Sequence, residues 1–73
     1  MTTPAYINPL ILQWARRRRH LRISTAAGLV GKSTNDWVEW EDGLSFPSFS
    51  DAMVIARALK IPHGYLWLTK PPT

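Results

Sequence analysis

Ala27-Gly28-Leu29-Val30-Gly31-Lys32-Ser33-Thr34-Asn35-Asp36-Trp37-Val38-Glu39-Trp40-Glu41-Asp42-Gly43 is the stretch that decides the fold. Ala26, Ala27, Leu29 and Val30 form a short apolar helix that Gly31 ends, because a glycine there adopts the left-handed conformation a sharp turn needs. Ser33 then caps a second helix over roughly Thr34 to Glu41, which stops at Asp42-Gly43. Trp37, Trp40 and Glu41 point inward. Thr34, Asn35, Val38, Glu39 and Asp42 fall on the outer face at helical spacing.

Upstream, Asn8-Pro9 pairs a cap with a first-turn proline, and Ile11, Leu12, Trp14 and Ala15 recur at helical spacing up to the arginines. A first helix is therefore expected over about Pro9 to Arg19. Ser24 or Thr25 is expected to cap the second helix. Downstream, Ser48 with Asp51 three residues on resembles a capping box, and Phe49, Ala52, Ile55, Ala56 and Leu59 supply the stripe of a fourth helix. Ile61-Pro62 breaks it, and His63 to Leu68 predicts a short fifth helix with Tyr65, Leu66 and Leu68 folding back. Trp37, Trp40, Ala27, Val30, Phe49, Ala56 and Leu59 are the expected core. Met1 to Ile7 and Thr69 to Thr73 read as tails around an ordered core of about residues 8 to 68, the latter as the start of a linker.

A chain of 73 residues is one small domain, and without cysteine it has neither a disulfide framework nor a Cys/His zinc site to staple it. This composition suits a reducing cytoplasm. Four Trp, two Phe and two Tyr supply the apolar area instead. No stretch approaches the roughly 18 apolar residues of a membrane span, and the arginines follow the short run Pro9 to Ala15 rather than precede it, unlike a secretory signal.

The net charge of +4 is segregated along the chain. Arg16 to Arg19, Arg22 and Lys32 come first; Asp36, Glu39, Glu41, Asp42 and Asp51 follow; Arg57, Lys60 and Lys70 close it. Four successive helical arginines point in four directions, so most of that run is a solvated face. His20 and His63 lack ligand-like spacing, and no nucleophile, base or metal set converges, so no catalytic residue, metal ligand or cofactor is expected. Trp37 and Trp40 read as core rather than as a base-stacking platform. Leu44, Phe46 and Trp67 would form an apolar patch if they shared one exposed surface.

Two short helices meeting across a glycine turn, with a third closing over them, have the spacing of a helix-turn-helix, which points toward double-stranded DNA rather than catalysis. The residues from about 9 to 68 resemble the phage repressor and Cro type of helix-turn-helix domain, the XRE family. Asn8-Pro9, Trp14-Ala15-Arg16, Trp40-Glu41-Asp42-Gly43, Pro47-Ser48, Ala56-Arg57-Ala58-Leu59 and Pro62 through Leu68 are similar, more narrowly, to the N-terminal domain of regulators that carry an ImmA/IrrE-type zinc peptidase domain. The resemblance implies an all-α, five-helix, lambda-repressor-like DNA-binding domain with the helix-turn-helix at helices 2 and 3. It also implies a homodimer on a two-fold site, a peptidase-like domain after Thr69 to Thr73, and an ion pair between Arg16 and Glu41. The chain itself contains no His-Glu-x-x-His.

Carried over by position, Ser33, Thr34, Asn35 and Glu39 match residues that touch phosphate and base edges, and Arg22, Ser24 and Thr25 occupy the backbone-contacting start of helix 2. Lys32 and Val38 complete the expected DNA surface. The chain departs from the family pattern at Arg22, where Ser is frequent, at His20, where Gly is, and at Leu44-Ser45-Phe46, where basic residues are. With no Lys or Arg on the outer face of helix 3, a second reading stands beside the first. In it, the same fold serves as a protein-interaction module covering a partner or a C-terminal domain.

Overall fold

A computed structural model of the chain describes residues 4–71. Its elements are α1 (Pro9–Arg18), α2 (Ile23–Leu29), α3 (Thr34–Asp42), α4 (Phe49–Leu59) and a 3-10 turn (His63–Trp67). The architecture is all-helical, with one isolated β-bridge, Pro4 to Ser48, and no strand among the described residues. No described helix is long and apolar enough to cross a membrane.

Helix starts follow local chemistry. The Asn8 side chain accepts from the Leu10 N–H at 3.0 Å, with Pro9 just inside the helix, while Ser33 and Ser48 accept from the N–H groups of Asp36 and Asp51 at 3.1 and 3.0 Å. Each bond satisfies an amide that has no partner within its own helix. The start of α2 differs from expectation. Arg22, with no side-chain hydrogen bond, holds the cap position, and Ser24 and Thr25 fall within the first turn. Ile23, partly buried against the core, is thereby drawn into the helix ahead of them.

All four helices stop in the same way. The residues at the turn, His20, Gly31, Gly43 and Lys60, have φ of 56°, 71°, 74° and 58°. The left-handed step lets the next N–H reach a carbonyl five residues back: Leu21 to Arg16 at 3.2 Å, Lys32 to Ala27 at 2.9 Å, Leu44 to Glu39 at 2.9 Å and Ile61 to Ala56 at 3.0 Å. Carbonyls that the helix leaves open are thus satisfied before the chain turns away.

Trp37, Trp40, Ala27, Ala56 and Leu59 are buried as expected, with Ile11, Leu12, Ile55 and Leu66 beside them. Val30 packs on that core from a half-buried position. Phe49 departs: at the first position of α4 it stands 53% exposed and stacks on Trp67, ring centroids 5.8 Å apart. The fifth element departs too, being a 3-10 turn rather than an α-helix. Only Leu66 from it is buried, while Tyr65 and Leu68 remain at the surface.

Part of the expected N-terminal tail belongs to the core. Ala5 and Ile7 are buried on either side of exposed Tyr6, and the Ala5 N–H donates to the Pro47 carbonyl at 2.8 Å. Asn8 then fastens the two ends together: its backbone N–H reaches the Leu66 carbonyl at 2.7 Å, and its Nδ2 reaches those of Leu68 and Thr69 at 2.8 and 3.2 Å. Residues 1–3 and 72–73 of the expected tails lie outside the described residues.

Candidate nucleic-acid interface

The outer face of α3 is set by what lies beneath it. Trp37 and Glu41, four residues apart, both turn inward, and the Trp37 Nε1–H donates to Glu41 Oε2 at 2.5 Å. Arg16, from α1, approaches the same carboxylate with both arms of its fork, Nε to Oε2 at 2.6 Å and Nη2 to Oε1 at 3.0 Å. Its third arm, Nη1, donates to the Leu21 carbonyl at 2.9 Å, and Gln13 Nε2 donates to the Glu41 backbone carbonyl at 3.1 Å. The ion pair implied by the resemblance is therefore present, with side chains 11% and 6% exposed.

A buried charge pair is tolerable when its remaining donors and acceptors are satisfied. Here every buried side-chain nitrogen and oxygen among the described residues has a partner. The hydrogen bond to Glu41 holds the Arg16 guanidinium above its already high ordinary pKa, against the opposing effect of burial. Because Arg16 sits on α1, its other arm bonds the α1–α2 turn and its partner carboxylate is on α3, the network restrains α3 against rotation about its axis.

That restraint turns Thr34, Asn35, Val38 and Glu39 to the solvent, with Asp36 and Asp42 also exposed. The side chains of Thr34, Asn35 and Glu39 make no hydrogen bond or ion pair with other described residues. Ser33 is exposed, but its hydroxyl is committed to the Asp36 N–H as acceptor. Lys32 is diverted as well: its Nζ stands 3.4 Å from Asp51 Oδ2 on α4.

Arg22, Ser24 and Thr25 are exposed at the start of α2, the end away from the turn into α3. At 1.5 Å per residue the seven residues of α2 span about 10 Å, which is the length of helix between its start and the turn into α3.

Arginine density is highest at the end of α1. Arg17 and Arg18 are exposed, and the Arg18 guanidinium lies 5.4 Å from the centre of the Trp14 ring. Arg19 is not a solvated residue as the run suggested, for its Nη1 donates to the Ala58 carbonyl at 2.5 Å and ties α1 to α4. Neither that bond nor the Lys32–Asp51 pair has a sequence signature, since each joins residues distant in the chain. The chemistry of the surface is mixed: hydroxyl, amide and carboxylate groups on α3, three exposed acids among them, and Arg17, Arg18 and Arg22, without an ion-pair partner among the described residues, around the α1–α2 turn. Compared with protein-family models, curated proteins and solved structures, the chain finds no match.

Proposed function

We propose that this chain is a DNA-binding module, the reading part of a transcriptional regulator, in which α2, the Gly31 turn and α3 act as a helix-turn-helix within a lambda-repressor-like arrangement. In this reading the 3-10 turn takes the role of the fifth helix of such a fold. One observation carries the reading: α3 presents Thr34, Asn35, Val38 and Glu39 without internal partners, while Trp37, Trp40 and Glu41 hold its opposite face in the core. A helix offered this way fits a major groove, where Asn35 can pair with adenine N6 and N7 and Glu39 can accept from cytosine N4. Arg22 supplies phosphate attraction at the start of α2, and Ser24 and Thr25 offer hydroxyl donors beside it.

The three exposed acids of α3, with Lys32 engaged by Asp51, favour a second reading in which α3 meets a protein rather than phosphate. Selection from random duplexes at low and moderate salt separates the two. Enrichment of one motif supports DNA reading; the absence of any enriched motif at both salts transfers the function to protein recognition.

A further inference from the structure

Several exposed charges have no ion-pair partner among the described residues, and two of the faces that carry them, on α1 and α3, are opposite in sign. Among the described residues the ion pairs are Arg16–Glu41 and Lys32–Asp51. Arg17 and Arg18 on α1 are left over, as are Asp36, Glu39 and Asp42 on α3.

Each of these faces also has an apolar component. Leu10, Gln13, Trp14, Arg17 and Arg18 recur at helical spacing along α1 and, with Pro71, line an open groove of about 580 Å³. Leu10 is 57% exposed there. On α3, Val38 sits among the acids at the surface, and Leu44 protrudes just past the end of the helix, 76% exposed.

We propose that these two faces dock on each other between two copies of this chain, the α1 groove of each receiving the acidic face of α3 of the other. The two faces are neighbours within one molecule, because Gln13 of the groove bonds the Glu41 carbonyl at 3.1 Å and Pro9 Cγ lies 3.6 Å from where a Cβ on Gly43 would be. Complementary patches side by side can exchange partners about a two-fold axis, which closes a dimer instead of extending a fibre. An acidic peptide would neutralise α1 alone, and nucleic acid in the groove would meet Asp42 beside it. A second copy neutralises both faces in one contact.

The pairing covers the outer face of α3, so it competes with DNA and keeps the reading helix masked when no site is bound. Only this regulatory consequence rests on the DNA reading; the docking does not. Exposed ion pairs are individually weak, so the dimer belongs to the transient class and is sensitive to salt.

Sedimentation of the chain without DNA, over a range of concentrations, tests it. At low salt the weight-average mass should rise toward a dimer with concentration, and in about 1 M salt, where the Debye length is about 3 Å, it should return to the monomer. Arg17→Glu with Arg18→Glu, or Glu39→Arg with Asp42→Arg, should each weaken self-association by about tenfold or more. An equimolar mixture of these two variants should associate again. All four positions are exposed, and helical circular dichroism confirms that each variant is folded. A chain that stays monomeric at low salt at every concentration, a dimer indifferent to both charge reversals, or folded variants that do not pair when mixed would each overturn the proposal.

Discussion

Removing the carboxylate of Glu41 leaves the Trp37 indole N–H and two arms of Arg16 without their acceptor in a site closed to most water. Glu41→Ala should therefore cost about 3 to 5 kcal/mol, as expected when one member of a buried pair is stranded. In a double-mutant cycle of Arg16→Met and Glu41→Gln, urea unfolding should give a coupling of about 1 kcal/mol or more, and additive effects would remove the pair from the account of stability. The upward shift of the Arg16 pKa has a definite sign. Its stabilisation is complete below the ordinary arginine range and is lost only as pH rises through the still higher folded value, so this group adds no pH dependence near neutrality. On the outer face, Asn35→Ala should relax the choice of one base pair by about 1 to 3 kcal/mol in the proposed DNA complex. Glu39→Gln should strengthen non-specific binding through reduced phosphate repulsion while loosening the preference for cytosine. Unchanged motif and affinity in both variants would place α3 away from the bases.

Four helices end with a left-handed residue, and two of those residues, His20 and Lys60, carry a side chain where Gly31 and Gly43 do not. The left-handed conformation costs a residue with a Cβ about 1 to 2 kcal/mol, of which glycine's greater freedom in the unfolded chain gives back part. His20→Gly and Lys60→Gly should thus each stabilise by about 0.5 to 1 kcal/mol. Being on separate helices, they should add. A lower urea midpoint in either variant would mean that its side chain contributes more than the backbone strain costs. The uncapped start of α2 offers a contrasting case, because Arg22 leaves its first amides without a side-chain acceptor. Arg22→Ser should gain about 1 kcal/mol as a cap, and in the proposed complex it should weaken binding to all sequences alike.

At the scale of the whole molecule, the segment before α1 closes the core. Ile7 is 2% exposed, so Ile7→Ala should cost about 2 to 5 kcal/mol, a large share of the stability of a domain this small. Tyr6→Ala should cost less, since that side chain is 68% exposed and meets Phe46 only edge-on at 5.1 Å. Equal, negligible losses would return residues 4–7 to the status of a tail. Arg19 and Asn8 make the same kind of long-range closure, joining α1 to α4 and to the chain beyond the 3-10 turn. The uneven charge belongs to this scale as well: cations around the end of α1 and acids on α3 give the molecule a polarity that no single helix shows.

The positions of α1 to α4, the Asn8, Ser33 and Ser48 caps, the Gly31 and Gly43 stops and the inward setting of Trp37, Trp40 and Glu41 were legible in the sequence, whereas the start of α2 and the 3-10 form of the last element were not. Each legible feature depends on residues within about one helical turn of one another, where spacing alone decides who meets whom. Arg16 and Glu41 could be paired only through the family resemblance. Burial of Ala5 and Ile7, the exposure of Phe49, the reach of Arg19 to Ala58 and the Lys32–Asp51 pair had no local signal, because each depends on a surface supplied by a distant segment. A two-residue alternation such as Ala5 and Ile7 is too short to register as a pattern, and a stripe position such as Phe49 is buried only if the core extends under the end of its helix. The tertiary structure also decided which cations remain available. It gives Lys32 and Arg19 partners on α4 and leaves Arg17 and Arg18 exposed, without such a partner among the described residues.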